Sequence, residues 1–358
     1  MRVRNFCAGP AAIPEPVLEE VRSELLEWGN AGMSIMEMSH RSSIFDEVAS
    51  NAKQDFIELL NIPDEYDVLF LQGGATHQFS MVPLNFSSQE DSADYLVTGA
   101  WSKKAIVEGQ KYSKINIVAS SEADNFTHAP DSKLWNLDSN AKYFHYAPNE
   151  TIQGVAIHHP PNIDVPIVAD MSSVILSEPI DVSKFGLIYA GAQKNIGPAG
   201  LTIVIIQKEM FEKENSSNSN ILRYSQHSKN NSMLNTPPTF AWYMAGKVFK
   251  WLKSEGGLEV ICKKNHFKAN TLYQYIDESN FFSNPVAVEN RSIMNIPFIL
   301  ADNNLDSLFI EQAEQNGLLN LKGHRSLGGM RASIYNAMPI EGVHDLIECM
   351  KDFEKTNG

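Results

Sequence analysis

Two residues of complementary chemistry, Asp170 and Lys194, lie 24 positions apart in a chain of 358 residues. Asp170 directly follows the apolar run of residues 165–169, and Lys194 follows a second run, residues 185–190. Short apolar runs that end at turn residues are typical of buried strands. Ligands of open α/β sheets bind at the carboxyl ends of the strands. We therefore expect an acid and an amine to meet at one edge of a sheet.

Two strand-to-helix turns suggest what else this edge holds. Residues 72–76, with the sequence QGGAT, follow a predicted strand at 67–71 and precede a helical pattern. Such a turn directs backbone N–H groups and a helix N-terminus at an anion, most often a phosphate. Trp101 follows another predicted strand, residues 94–98, and its indole suits either a packed core or a platform for a flat ring.

Pyridoxal 5′-phosphate meets all of these requirements. Its aldehyde reacts with a lysine amine such as that of Lys194, and its pyridine nitrogen pairs with a buried carboxylate such as that of Asp170. Its phosphate suits the turn at 72–76, and its ring suits Trp101. A non-catalytic module that binds phosphate through QGGAT is an alternative from a different class. That alternative gives Lys194 no role.

Basic residues occur where a substrate anion could be held. His40 and Arg41 precede a predicted helix, and His324 and Arg325 lie in a glycine-rich loop. Arg331 opens a predicted strand shortly after that loop. Arginine gives planar, bidentate contacts to carboxylate and phosphate. Each pair also suits a solvated loop, so these residues are candidates that need spatial support.

The composition limits the class of protein. A net charge of −14 disfavours a nucleic-acid surface, and no apolar stretch reaches the ~20 residues of a bilayer span. The first residues include no apolar segment of the kind found in signal peptides, so we expect none. Three widely separated cysteines have no metal-ligand spacing, which favours a reduced, cytoplasmic protein. His158 and His159 are adjacent and would point to opposite faces of an extended segment, so we predict no metal site there.

Strands and helices alternate along the first two thirds of the chain, which predicts a mostly parallel sheet with helices on both faces. A Ser- and Asn-rich stretch, residues 213–232, is predicted as an exposed excursion, and a domain boundary is predicted near Gly256. The strands are predicted at residues 67–71, 94–98, 115–118, 142–146, 155–157, 165–169, 185–190 and 201–206, with later strands at 293–300, 318–321 and 330–335.

Motifs along nearly the whole chain resemble the class V aminotransferase group of fold-type I pyridoxal-phosphate enzymes. The resemblance implies an α/β fold whose large domain has a mostly parallel seven-stranded sheet flanked by helices, with a smaller C-terminal α+β domain. It implies an N-terminal arm (1–15) packing with the small domain, a large domain (16–256) and a small domain (257–358). The motifs are NFCAGPAAIP, MSHRS, QGGATHQF, GAWSKKA, NETIQGV, VADMSS, YAGAQKNIGPAG, NTPPTF and GHRSLGGMRASIYN.

The resemblance is to the phosphoserine-forming members of the group. It implies reversible amino transfer between L-glutamate and 3-phosphohydroxypyruvate in a cytoplasmic homodimer with shared active sites, and a possible second step in vitamin B6 synthesis. Alanine–glyoxylate transamination remains an alternative, although it would not need the additional His and Arg residues. A cysteine desulfurase needs a nucleophilic Cys on a mobile loop, and Cys7, Cys262 and Cys349 lie in the arm and in two predicted helices.

The resemblance also implies roles around the cofactor. Lys194 would be the Schiff-base lysine and proton carrier, Asp170 would pair with the pyridinium nitrogen, Trp101 would stack on the ring, and Thr151 would contact the ring oxygen. Some relatives have Arg where this chain has Thr76, so a hydroxyl replaces a charge. The phosphate would be bound by Gly74, Ala75, Thr76 and Gln193, together with Asn235 and Thr236 of the neighbouring subunit.

The implied substrate contacts are five basic residues. Arg331 would hold the α-carboxylate that both amino acids share. His40 and Arg41 of the neighbouring subunit, with His324 and Arg325, would receive the phosphate of phosphoserine or the distal carboxylate of glutamate.

Overall fold

The computed structural model describes residues 2–358 of the chain. Its strands are β1 (Arg4–Asn5), β2 (Tyr66–Leu71), β3 (Ser92–Val97), β4 (Lys114–Ser120), β5 (Phe144–Tyr146), β6 (Ile167–Asp170), β7 (Leu187–Gly191), β8 (Thr202–Gln207), β9 (Phe282–Ser283), β10 (Asn295–Leu300), β11 (Leu318–Leu319) and β12 (Met330–Ser333). Its α-helices are α1 (Glu15–Glu24), α2 (Ser43–Leu60), α3 (Gly74–Phe86), α4 (Ala100–Gly109), α5 (Tyr224–Lys229), α6 (Thr239–Ser254), α7 (Gly257–Glu278), α8 (Asp306–Gln315) and α9 (Ile340–Asn357).

Seven strands form the central sheet in the order β2-β8-β7-β6-β5-β3-β4. The pairs from β7 to β4 are parallel, whereas β8 is antiparallel to both of its neighbours, β7 and β2. Strand β2 therefore runs in the same direction as β7. The predicted mostly parallel seven-stranded sheet is confirmed. The carboxyl ends of β2, β3, β5, β6 and β7 lie along one edge.

Both faces of this sheet are buried. In β7, Leu187 and Tyr189 join one apolar cluster, while Ile188 and Ala190 join the other. This division follows from the strand geometry, because successive side chains point to opposite faces. Helices α2 and α6 cover one face and α3 and α4 the other, so the strands read as continuous apolar runs rather than alternating ones.

Local chemistry sets where the covering helices begin and end. The side chain of Ser42 caps α2 by accepting from the N–H of Phe45 at 3.2 Å. Phe45 and Phe56 on the same helix are fully buried against α6, the first edge-on to Trp242 and the second against Phe249. Asn61, with φ +48°, ends the helix in the left-handed conformation that Asn tolerates better than most residues.

A second, smaller core lies in the C-terminal part of the chain. Strands β12, β10 and β9 form an antiparallel sheet, and β1 at the N-terminus pairs in parallel with β11. Phe6 is fully buried in this core. Helix α7 joins the two cores, because Leu258 packs in the large one and Leu272 in the small one. The division at residues 1–15, 16–256 and 257–358 stays a prediction.

The predicted strand at 155–157 is wrong. Val155 and Ala156 form only isolated antiparallel bridges, to Arg291 and Asn149, and β5 pairs directly with β6 in the sheet. The preceding residue, Gly154, has φ +73°, and a Cβ there would lie 2.4 Å from Cδ of Pro297. The chain therefore turns at this glycine and leaves the sheet.

The predicted exposed excursion at 213–232 is also wrong in its middle. Tyr224 in α5 is fully buried, and its hydroxyl donates to Oε1 of Gln78 at 2.7 Å. Glu214 accepts from the N–H of Ser225 at 2.8 Å. Two side chains also fix this segment to β2: Oγ of Ser228 donates to Oδ2 of Asp67 at 2.5 Å, and Oγ of Ser232 accepts from the N–H of Phe70 at 2.9 Å.

None of the helices in residues 2–358 has the length and apolar character that a membrane span requires. In the same part of the chain, Cys7, Cys262 and Cys349 are free thiols.

Candidate active site

Five strands of the central sheet deliver residues to one cavity at their carboxyl edge. Its volume is about 200 Å³. Strand β2 leads to Gly73, β3 to Trp101, β5 to Thr151, β6 to Asp170 and β7 to Lys194. These residues are far apart in sequence and meet because their strands are parallel. The cavity is also lined by Gly74, Ala75, Thr76, Asn149, Ser172, Ser173, Gly191 and Gln193.

Lys194 reaches into the cavity and donates through Nζ to Oγ1 of Thr151 at 2.6 Å. The pKa of Lys194 is lowered to about 8, mainly by burial and in part by the charge of Arg331. The attraction of Asp170 opposes this lowering. A lysine with this pKa has a substantial neutral fraction near neutral pH, as a nucleophile or general base requires.

Asp170 is 7% exposed and ends β6. Its Oδ1 accepts from the N–H of Ser172 at 3.0 Å. Burial raises the pKa of Asp170, while this contact and the charge of Lys194 lower it. A buried carboxylate without a strong cationic partner is stabilised by a ligand that brings a positive charge, such as a protonated ring nitrogen.

The N-terminus of α3 offers the cavity an anion site. Gly73 precedes the helix with φ +93° and provides no side-chain cap, so the N–H groups of the first turn have no side-chain acceptor there. A Cβ on Gly73 would lie 2.4 Å from Nδ1 of His77, so glycine is required. On the facing strand, a Cβ on Gly191 would lie 3.6 Å from the backbone nitrogen of Ala75. A phosphate fits this helix end.

Trp101 forms one wall. Its ring centroid lies 6.0 Å from Nζ of Lys194, and its backbone N–H donates to Oε2 of Glu150 at 3.0 Å. The indole Nε1 is buried without a partner among the described residues. A planar ring held between the indole and the opposite wall would fit between Lys194, Asp170 and the anion site.

A cationic group lies at the rim. Arg331 donates through Nη1 to the carbonyl of Thr151 at 3.3 Å, and its Nε is buried without a partner in residues 2–358. Burial lowers the pKa of His324, and the charges of Arg331, Arg325 and Lys104 lower it further. Because this shift favours a neutral imidazole, Arg331 and Arg325 carry the charges that would bind an anionic substrate group next to the cavity.

Seven predicted residues lie outside the cavity lining: Arg331, His324 and Arg325 of the cationic group described above, and four others. Arg41, Asn235 and Thr236 are exposed, and His40 is half-buried with no partner for Nε2 among the described residues. The carbonyl of Thr236 accepts from Nε2 of Gln72 at 3.3 Å. Their assignment to the site of a neighbouring subunit stays a prediction.

Several contributors were missed in the sequence. Ser172 Oγ accepts from the N–H of Gly191 at 3.0 Å and so joins the turn after β6 to the end of β7. Asn149 donates through Nδ2 to Oγ of Ser173 at 2.8 Å. These residues lie within two or three positions of Asp170 or Thr151, in the motifs VADMSS and NETIQG. Their closeness in sequence to predicted site residues is the signal that could have identified them. Gly73 and Gly191 contribute because neither has a side chain, which leaves room at the N-terminus of α3.

The chain is similar along its whole length to known aminotransferases. The family profile "Aminotransferase class-V" matches residues 3–346. Phosphoserine aminotransferase of Acinetobacter baylyi is 55% identical, with 100% of both chains covered. The structure of phosphoserine aminotransferase from Bacillus circulans subsp. alkalophilus superposes with a TM-score of 0.98 at 44% identity, covering 100% of this chain and 99% of that one. A pyridoxal-phosphate-bound phosphoserine aminotransferase from Trichomonas vaginalis gives a TM-score of 0.94 at 42% identity, covering 98% and 100%.

Proposed function

The chain belongs to the class-V aminotransferase family, and we propose that it transfers an amino group reversibly between L-glutamate and 3-phosphohydroxypyruvate. The products are 2-oxoglutarate and O-phospho-L-serine, and the cofactor is pyridoxal 5′-phosphate. One observation carries the proposal: Asp170, Lys194, Trp101 and the open N-terminus of α3 meet in one cavity. The full-length similarity to phosphoserine aminotransferases supports the choice of substrates.

The cavity residues divide the work of holding and activating the cofactor. When bound, pyridoxal 5′-phosphate supplies a sink for the electrons left by the departing Cα proton of the amino acid. Asp170 would keep the ring nitrogen protonated, and the first turn of α3 would bind the phosphate. Thr151 Oγ1 orients the Lys194 amine through the 2.6 Å hydrogen bond. Nζ of Lys194 accepts the proton that leaves Cα, which its lowered pKa favours.

The rim binds the substrate at two points. Arg331 is the contact for the α-carboxylate, because its Nε has no protein partner in residues 2–358 and its Nη1 already lies at the cavity. His324 and Arg325, with His40 and Arg41 of the neighbouring subunit, bind the distal phosphate or carboxylate. Guanidinium groups suit both anions, so one pocket can serve both half-reactions.

This assignment requires a homodimer. The segment that carries His40 and Arg41 has several exposed apolar side chains, and apolar exposure of this kind is typical of surfaces that bind another chain. These side chains include Leu26 at 87% exposure and Met36 at 52%. Three free thiols agree with a reducing compartment, and we propose the cytoplasm.

The cofactor assignment is tested by chemical trapping. The purified protein should be yellow, and borohydride should fix the cofactor to a single peptide that contains Lys194. The matched variant Lys194→Arg keeps the charge and should give no labelled peptide. A colourless protein that takes up no added cofactor, or a label on another lysine, would contradict the proposal.

The substrate assignment is tested by comparing amino donors. Phosphoserine and glutamate should both convert the cofactor to its amino form, whereas alanine should react far more slowly. The rim favours this order because alanine has no distal anion to pair with His324 and Arg325. A preference for alanine with glyoxylate would support the alternative class V activity. The phosphorylated hydroxythreonine substrate of vitamin B6 synthesis should react as well, and the same assay tests it.

A further inference from the structure

A buried carboxylate with no part in the proposed mechanism lies behind the cavity wall. Glu150 has no exposed surface. It lies between Asn149 and Thr151, both of which line the cavity. A buried acid is costly unless donors surround it, so its contacts indicate what it does.

All the contacts of this carboxylate are to the first turn of α4. Oε2 accepts from the N–H of Trp101 at 3.0 Å. Oε1 accepts from the N–H of Ser102 at 2.9 Å and from its hydroxyl at 2.7 Å. Burial raises the pKa of Glu150, whereas the hydrogen bonds from Ser102 and Trp101 at the helix N-terminus lower it and so favour the ionised form.

The surrounding backbone is shaped to admit Glu150. A Cβ on Gly99 would lie 2.5 Å from Cδ of Glu150, so no larger residue fits between the acid and the helix. The turn that carries Glu150 is closed by two backbone hydrogen bonds, from Glu150 to Val155 and from Gly154 to Glu150, both 2.8 Å long. The acid is therefore fixed at its backbone as well as at its carboxylate.

Glu150 thus connects two elements of the cavity. Its carboxylate holds the backbone of Trp101, and the next residue, Thr151, accepts the hydrogen bond of Lys194. We infer that Glu150 is a positioning residue that holds the Trp101 wall and the Thr151 hydroxyl at a fixed separation in the cavity. The inference rests on the proposed function, because it takes this cavity as the pyridoxal-phosphate site.

The charge of Glu150 has a separate effect. It raises the pKa of Lys194 and so opposes part of the lowering that burial causes. A neutral replacement of the same shape should move the titration of Lys194 to lower pH. This change is a signature that a helix cap with a purely structural role would not produce.

The test compares Glu150→Gln with wild type. The amide nitrogen of Gln must face one of the N–H donors, so the first turn of α4 should shift. We expect about tenfold or more weaker binding of pyridoxal 5′-phosphate, from the loss of hydrogen bonds to a charged acceptor. In the cofactor-free protein, acylation of Lys194 measured against pH by peptide mass spectrometry should show a lower midpoint.

A matched control lies three residues further along the same turn. Oε1 of Gln153 accepts from the N–H of Ala100 at 3.2 Å, so Gln153 caps the same helix end without a charge. Gln153→Ala should lower the unfolding temperature and leave the Lys194 midpoint unchanged. Glu150→Asp keeps the charge but shortens the reach, so it should weaken cofactor binding while the midpoint stays near that of wild type.

The possible results separate clearly. The inference is overturned if Glu150→Gln binds the cofactor as tightly as wild type does, or if Gln153→Ala reproduces both changes. If Glu150→Gln does not fold, Glu150→Asp decides the matter, because unchanged cofactor affinity there contradicts positioning. Failure of the wild type to bind pyridoxal 5′-phosphate would instead contradict the proposed function. The Lys194 titration of the cofactor-free protein does not depend on that result.

Discussion

Lys194 is surrounded by groups that shift its pKa in opposite directions. Burial and the charge of Arg331 favour the neutral amine, while Asp170 and Glu150 favour the ammonium, and the resulting pKa is about 8. The proposed chemistry needs this balance, because a fully protonated amine cannot attack an aldehyde or accept a proton. The groups around Lys194 therefore determine whether its amine can react.

The pH dependence of cofactor attachment follows from this pKa. Only the neutral amine reacts, so the attachment rate of added pyridoxal 5′-phosphate should rise about tenfold per pH unit below the pKa and level off above about 8. Stopped-flow absorbance on the cofactor-free protein measures it. A midpoint near 10.5, the value of an unperturbed lysine, would contradict the burial argument.

Arg331 and Arg325 should differ in which substrates they affect. Arg331→Lys retains the charge but loses the planar fork, so KM should rise about tenfold or more for both glutamate and phosphoserine. Arg325→Lys should raise KM mainly for phosphoserine, whose distal group carries more charge. Cofactor affinity should change little in both variants. Equal effects of the two substitutions on both substrates would contradict the assignment of separate anion contacts.

Among single residues, the sequence predicted those site residues whose type is unusual for their position. Asp170 ends a buried strand, and Lys194 and Trp101 follow buried strands, where a polar or very large residue needs a reason. Glu150 and Ser172 gave no such signal, because an acid or a serine in a turn is ordinary. Their roles arise from contacts with α4 and β7, which only the folded chain brings near them.

Among the elements, strands with continuous apolar runs were predicted best. β6 and β7 are buried at every position, so their sequences identify them. The segment 155–157 has the same apolar character but lies outside the sheet, because Gly154 turns the chain toward Pro297. An apolar run therefore predicts burial more securely than it predicts strand pairing.

Helix α7 contains a buried lysine that holds part of the small core in place. Lys268 is 3% exposed, and its Nζ donates to the carbonyls of Ile334, Tyr335 and Met338 at 3.1, 2.8 and 3.0 Å. These carbonyls belong to the segment that follows β12, the strand of Arg331. Helix α7 thus holds the backbone next to a proposed substrate contact.

Lys268→Met should destabilise the protein by roughly 2–5 kcal/mol, because three buried carbonyls lose their donor. Denaturant unfolding measures this change. Lys264→Met is the matched control one turn earlier, where an exposed ion pair with Glu255 is lost, and it should change stability by less than about 0.5 kcal/mol. Equal losses for the two variants would show that Lys268 contributes no more than a surface charge.

On the scale of the whole molecule, the proposed site draws residues from both cores, although the cavity itself is lined by the large one. Lys194 and Asp170 lie on the large sheet, whereas Arg331 lies on β12 of the small one. The proposed site is also incomplete in one protomer, because Arg41 is exposed and does not line the cavity. Activity should therefore depend on dimerisation.

Mixed dimers test this dependence directly. Subunits with Lys194→Ala and subunits with Arg41→Ala should each form homodimers of low activity. If Arg41 serves the neighbouring site, each mixed dimer contains one site with both native residues and should recover about half of the wild-type activity. If Arg41 serves its own site, both sites of a mixed dimer lack one residue, and no activity returns.

The antiparallel strand β8 has a consequence for motion at the site. It returns directly beside β7, so Lys194 lies in a short connection between two paired strands rather than in a long crossover. Within this connection, the N–H of Ala192 bonds to Leu201 at 2.9 Å, and those of Lys194 and Gly197 bond to Ala192 at 2.8 Å. Amide hydrogens here should exchange with deuterium only when the whole sheet opens, even without cofactor. Amide hydrogens of the largely exposed loop 324–328 should exchange within seconds. The Lys194 amine would then stay rigid while the anion contacts His324 and Arg325 move.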